Sequence, residues 1–293
     1  MSSAKNLYTA QNTLAMAREL SLPAPVLALL DELAPRLPWA ELSPRIDELT
    51  APSLAEQARQ ALAGALAPLE GDTGMVQLAC MLAAAGRTHA RYRAAGVADP
   101  VFYATMDCFR RFLEETHGWT GRWVFDRAFW CWRQTSCLLF RLGALEFECT
   151  AAPGDPPPPG LAAGDPLLSV HIPSDAPLTR AALDASYAEQ RRFFAAEGAA
   201  FCTQGAPRAL FCSSWLLAPA LTRFLGEQSG IRQFAGDYRV YHVDEANESF
   251  YLWLYGGRKP IPDLPTRTHL QRAVQAHLAA GGKVGEGAGL LAL

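Results

Sequence analysis

The sequence predicts an α+β protein, a helical N-terminal half followed by a mixed β-sheet with helices packed on it. Three observations carry this. Apolar residues recur at helical spacing on an alanine-rich background through about the first 120 residues. Composition changes at Gly118-Trp119, where an aromatic-rich stretch begins. From Arg141 onward, short apolar strands alternate with helical segments long enough to serve as crossovers. The expected division is a helical domain over 1–118 and a sheet domain over 119–293.

The helical half opens with Leu14, Ala17 and Leu20, a short amphipathic stretch that stops at Leu22-Pro23. Pro25 suits a first helical position and is followed by Val26, Leu29, Leu30 and Leu33. Ser53 and Glu56 read as a capping box ahead of Leu62, Leu66 and Leu69. A longer helix runs through Met75, Leu78, Leu82 and Ala85 toward Gly96, and Asp99-Pro100 starts another carrying Phe102, Met106, Phe109 and Leu113. Asp126 is placed to cap an apolar helix reaching Leu139. The cluster Trp119, Trp123, Phe125, Phe129, Trp130 and Trp132 reads as apolar glue toward the sheet, with a ligand pocket as the alternative.

In RLGALEFEC, Leu145 and Phe147 share one strand face and Glu146 and Glu148 the other. Residues 151–166 form a Pro/Gly loop. LLSVHIP is a strand with Leu168, Val170 and Ile172 on one face, Ser169 and His171 on the other. A helix capped by Thr179 carries Leu183, Tyr187 and Phe194. ALFCSSWLL reads as a strand, Pro219 starts a helix, and YRVYHVD and SFYLWLY read as two further strands. A capping box at Thr268 and Gln271 opens the last helix, which Gly281-Gly282 ends. The glycine-rich residues beyond read as a flexible tail or, alternatively, a phosphate contact.

Of the 293 residues, 50% are hydrophobic and 19% charged, and the net charge of −3 gives no case for binding nucleic acid through its phosphates. No run approaches the ~18 apolar residues of a membrane span. The first twenty residues lack the basic start and apolar run of a signal peptide. The seven cysteines are odd in number and scattered, which argues against a disulfide framework and for a reducing, cytoplasmic setting. There is no CxxC, and the six histidines lack metal-ligand spacing, so no metal is expected.

The blocks FDRAFWCW, FRLGALEFE, GDPLLSVHIP, CSSWLL and PTRTHLQRAVQAHL resemble a bacterial acyltransferase-domain family. That family joins a helical N-acyltransferase N-terminal domain to a GNAT-like C-terminal domain. The resemblance implies acyl-CoA as co-substrate and an amine as the small-molecule acceptor. Such chemistry needs a base for the ammonium, donors for the thioester oxyanion and N–H groups for the CoA pyrophosphate.

His171, within an otherwise apolar strand, is the first base candidate; its alternative is a hydrogen-bonded core histidine. Glu146 and Glu148 are further base candidates, or a solvated face. Ser214 is the candidate acid, and Arg141 and Trp215 the candidate substrate contacts. The resemblance places CoA between the strand LLSVHIP and the following helix, at Ser174, Thr179 and Arg180. The usual glycine-rich pattern is absent there, two prolines remove donors, and Asp175 is repulsive. The rival reading is therefore a ligand-binding or scaffold protein that has lost CoA. A third class is a thiol enzyme using Cys212 with His171. Neither the amine, the acyl group nor the oligomeric state is specified by these residues.

Overall fold

The computed structural model describes residues 8–291. Residues 1–7, 292 and 293, and the side chains of Pro68, Leu69 and Glu70, lie outside that description. The chain falls into two compact units that divide between Arg141 and Leu142.

Among its described residues the first unit contains eight α-helices: α1 (Ala10–Glu19), α2 (Ala24–Leu33), α3 (Trp39–Leu49), α4 (Ala55–Glu70), α5 (Met75–Ala94), α6 (Asp99–Met106), α7 (Cys108–Thr120) and α8 (Ala128–Thr135). Helix α5 is the axis of its core. Residues 78–85 are buried without interruption, so this helix is apolar all round rather than amphipathic. Helix α3 is missing from the sequence reading because Pro38 and Pro44 punctuate it. Pro44 removes one ladder bond, but Leu42, Ile46 and Leu49 all enter the core, and that burial outweighs the loss.

Two expected caps are replaced. The helix after Ser53 begins with Leu54 at its cap and no side-chain cap bond. Glu56 instead accepts from Arg59 and Gln60. Asp126 does not cap α8; it pairs with Arg127 at 2.6 Å and accepts from Thr116. The buried Arg127 guanidinium lies over the rings of Phe112, Trp119 and Phe129, which solvate its charge. Helix α8 stops at Thr135, where Cys137 turns the backbone into the left-handed region (φ 61°), and the next residues are already strand.

The remaining elements are β1 (Leu139–Leu142), β2 (Leu145–Ala151), β3 (Pro166–His171), α9 (Arg180–Ala195), β4 (Leu210–Ser214), α10 (Gly230–Gly236), β5 (Tyr238–Asp244), α11 (Phe250–Tyr255), α12 (His269–Ala279) and β6 (Glu286–Leu291). The strands form one mixed sheet in the order β1-β2-β3-β4-β6-β5. Thr179 caps α9, and the capping box of Thr268 and Gln271 opens α12, both as the sequence indicates.

Pairing separates two faces in the sheet. Register partners Phe147↔Val170, Leu168↔Leu210 and Cys212↔Gly289 define an apolar face. Helix α9 covers it: Tyr187 donates to the Tyr238 hydroxyl at 3.3 Å, and Ser186 donates to Leu142 O while accepting from Leu145 N. The other face carries Glu146, Glu148, Ser169, His171, Phe211 and Ser213.

Four parts of the sheet region differ from the sequence reading. RLGALEFEC, read as one strand, is divided by a turn at Gly143-Ala144 into β1 and β2. SFYLWLY is helix α11, not a strand. Aromatic residues favour strands by propensity, but Gly256 and Gly257 close a helix here: Gly256 N bonds Leu252 O and Gly257 N bonds Tyr251 O. The segment after Pro219 is a short 3-10 turn, and α10 is additional. The glycine-rich tail is strand β6, set between β4 and β5. A Cβ on Gly287 would lie 2.6 Å from Leu217 O, and one on Gly289 3.2 Å from Arg239 O. Backbone approach, not flexibility, is what those glycines allow.

One cysteine pair is present. Cys149 on β2 is bonded to Cys202, with Cα atoms 5.5 Å apart across 53 residues. Antiparallel pairing of β2 with β3 and the return of the chain after α9 bring them together, which linear spacing does not report. The cysteine pattern therefore no longer argues for a compartment. The other five described cysteines are buried thiols. No described helix is long and apolar enough to cross a membrane.

Gly287→Ala is expected to destabilise the protein by about 1–3 kcal/mol in urea unfolding, since the obstructing atoms are backbone. Gly289→Ala should cost less because its clearance is larger. Equal stability of both variants with the parent would show that β6 is not held at this spacing.

Candidate functional site

The site is set by how β3 and β4 run. They are parallel and paired over only two positions, Leu168↔Leu210 and Ser169↔Phe211. Val170 and His171 at the end of β3, and Cys212, Ser213 and Ser214 of β4, have no register partner in one another. The two strands separate at their C-terminal ends, while on its other edge β4 stays paired with β6 as far as Ser214.

His171 stands at the edge of that gap. Its Nε2 lies 2.8 Å from Glu148 Oε2, with the two side chains 18% and 13% exposed. Glu146 is the direct register partner of His171, yet the ring bonds the diagonal residue Glu148. Diagonal neighbours on one face stay within reach of long side chains, and Glu148 extends to the ring. Strand alternation and the shared polar stripe predict Glu146 or Ser214 beside the ring; the bond is instead to Glu148. Glu146 is on the same face and buried. A carboxylate on Nε2 fixes the orientation of the imidazole and leaves Nδ1 as its other ring nitrogen.

Ser214 faces the other way. Alternation along β4 and its pairing with Gly287 put it on the face opposite His171. Its Oγ accepts from Leu216 N at 3.1 Å and starts a 3-10 turn. The neighbouring Ser213 is on the His171 face, exposed, and donates to Glu286 at 2.7 Å. Sequence reasoning passed over Ser213 because the phase of a short strand flanked by turns is not evident without its partners.

The loop from β3 to α9 contains the three residues assigned to CoA. Ser174 is exposed in a turn closed by Ala176 N to Pro173 O. Thr179 Oγ1 accepts from Ala182 N and so caps α9. Arg180 is gripped by two carboxylates, Asp237 at 2.6 Å and Asp184 at 2.8 Å. Its charge is neutralised there, leaving the helix N-terminus as the positive feature of the loop. The loop is held from below: a Cβ on Gly230, the first residue of α10, would meet Leu178 O at 2.4 Å.

Trp215 packs against a second apolar cluster built from Leu221, Phe250, Tyr255, Leu264 and Val274. Arg141 lies in β1, its N–H donating to Thr105 Oγ1 at 3.0 Å. Cys212 is fully buried on the face opposite His171. Burial pushes its thiol well above the ordinary range, and the Glu286 carboxylate adds to the rise. A thiol enzyme built on Cys212 and His171 is thereby ruled out: the two do not meet, and a thiolate is disfavoured. Among the described residues, no group of three or more His, Cys, Asp or Glu converges on a metal site.

Sequence comparison matches the GNAT-like C-terminal domain family over residues 139–291 and the N-acyltransferase N-terminal domain family over residues 12–137. No curated protein matches the sequence. Similar solved structures include an acyltransferase in complex with decanoyl-CoA and teicoplanin, 22% identical, with a TM-score of 0.64. A variant acyltransferase in complex with octanoyl-CoA is 24% identical, with a TM-score of 0.65. Each alignment covers 96% of this chain and 99% of the other. At this identity the likeness shows a shared fold.

Because its thiol is buried and protonated, Cys212 should resist iodoacetamide at pH 8 in the native protein and react only after unfolding. Rapid native labelling of Cys212, read by peptide mass, would restore the thiol-enzyme reading.

Proposed function

We propose that this chain, which belongs to the family joining an N-acyltransferase N-terminal domain to a GNAT-like C-terminal domain, transfers an acyl group from acyl-CoA to the nitrogen of a small-molecule amine. The observation that carries the reading is the separation of β3 from β4 with the Glu148–His171 pair at its edge. That gap admits a thin, extended acyl carrier. Backbone N–H groups bordering it serve the thioester oxyanion.

His171 takes the proton from the acceptor's ammonium, and Glu148 stabilises the resulting imidazolium. The neutral amine attacks the thioester carbonyl, forming the C–N bond. The C–S bond then breaks, the nitrogen loses its second proton, and CoA leaves as the thiol with one proton restored to sulfur. Glu146, buried on the same face, belongs to the polar surround of this base. The N-terminus of α9 behind Ser174 and Thr179 receives the pyrophosphate, and Trp215 and Arg141 remain the proposed substrate contacts. A cytoplasmic location is proposed with acyl-CoA as its basis.

A second reading is favoured by one observation: the loop 173–179 has no glycine, and Arg180 is already paired with Asp184 and Asp237. On that reading the fold is kept and CoA is not bound.

Thermal unfolding with octanoyl-CoA separates the two. At a hundredfold excess over Kd, a ligand of the native state stabilises it by about 2.7 kcal/mol. For units of this size that is roughly 5–10 °C in Tm. No shift with octanoyl-CoA, decanoyl-CoA or free CoA would favour the scaffold reading. His171→Ala should retain the shift and lower transfer by about 10²–10⁴-fold, with Glu148→Gln falling between it and the parent. Unfolding of His171→Ala with no loss of transfer per folded molecule would make His171 structural.

A further inference from the structure

Glu286, the first residue of β6, is a carboxylate of unusual setting. Each of its oxygens accepts one serine hydroxyl, Ser213 on Oε1 and Ser249 on Oε2, both at 2.7 Å. It is half-buried, and among the described residues no Lys, Arg or His nitrogen lies within 4.0 Å of it. Three other partly buried carboxylates of this unit have cations: Glu148 has His171, Asp165 has Arg208, and Asp237 has Arg180. Hydroxyl groups satisfy the hydrogen-bonding of a carboxylate but not its charge, and each oxygen retains a second acceptor site.

Its position gives that charge a direction. Ser213 lies on the sheet face that carries His171, and Glu286 reaches Ser213 on that face. β3 and β6 flank β4, so at least two strand spacings, ~10 Å, part their backbones, and more where β3 separates from β4. The register partner of Glu286 is Asp244, whose Oδ1 is occupied by Ala246 N and which adds a second negative charge.

Resting on the transferase reading, we infer that Glu286 is a specificity-determining carboxylate that binds a second cationic group of the acceptor while the reacting nitrogen sits at His171. The acceptor class is then an amine with a further ammonium group at its far end. Ser213 and Ser249 are positioning residues that aim the carboxylate. A purely structural latch between β4, β6 and the start of α11 would need the acceptor oxygens and not the charge.

Hexamethylenediamine and hexylamine are suitable probes, titrated calorimetrically into the full chain, with octanoyl-CoA titrated separately. The parent should bind the diamine at least tenfold more tightly than the monoamine. Glu286→Gln should abolish that preference, and Glu286→Asp, which keeps the charge, should retain it. Equal affinity of the parent for both amines, including no measurable binding of either, overturns the inference, as does a preference that survives in Glu286→Gln. If Glu286→Gln does not fold, Ser213→Ala decides: a diamine preference reduced several-fold supports the assignment, and an unchanged one makes Glu286 a latch. Failure of octanoyl-CoA to bind the parent counts against the transferase reading, whereas loss of the diamine preference alone counts only against Glu286.

Discussion

The sheet depends on a strand that the chain supplies last. β5 joins the rest only through β6, and β6 fits beside β4 only because Gly287 and Gly289 carry no side chain where the Leu217 and Arg239 backbones close in. Without β6, the pairing edges of β4 and β5 stay open and the buried Cys212 loses its cross-strand neighbour. Completing the sheet therefore brings residues about 80 positions apart together, a non-local closure that is slow relative to helix formation. The same strand begins with Glu286, so the closing element of the fold also places a charge beside the separated strands.

β6 holds one edge of β4 as far as Ser214, while on the opposite edge β3 pairs over two positions only, and that short seam is the candidate site. A parallel pair held over two positions would be a weak seam in an ordinary sheet. Here the apolar face beneath it is backed by α9, whose Leu183, Tyr187, Phe193 and Phe194 are all buried. Burying such side chains is worth about 1.5–3 kcal/mol each, enough to hold the strands while their ends diverge. The polar face carries the half-buried Glu148 and His171 beside the buried Glu146 and Ser169, while the apolar face maintains the fold.

Much of the architecture was legible because it rests on local patterns. Helical spacing and alanine content mark α1, α2, α4, α5 and one helical stretch from Asp99 to Leu113, which the structure divides at Asp107 into α6 and α7, and the capping residues Thr179 and Thr268 mark the starts of α9 and α12. Alternation along β2 and β3 put Glu148 and His171 on the faces where they occur. The family blocks supplied the GNAT-like expectation, which the family matches and the shared fold support. The aromatic run at 250–255 reads as strand by propensity, and only its packing and the two glycines that follow make it helix.

By itself, the sequence determined the α+β class, the helical start, the polar stripe that carries His171 and the departure from a glycine-rich phosphate loop. Tertiary structure decided the partners: Glu148 rather than Glu146 on the imidazole, Ser214 turned away and Ser213 turned in, Cys149 joined to Cys202, and a glycine-rich tail made into an interior strand. The physical reason is the range of the forces involved. Propensity, capping and alternation act within a few residues and can be read from the chain. Diagonal reach across a twisted sheet, the register of a terminal strand and the approach of two distant backbones exist only once the chain has returned on itself.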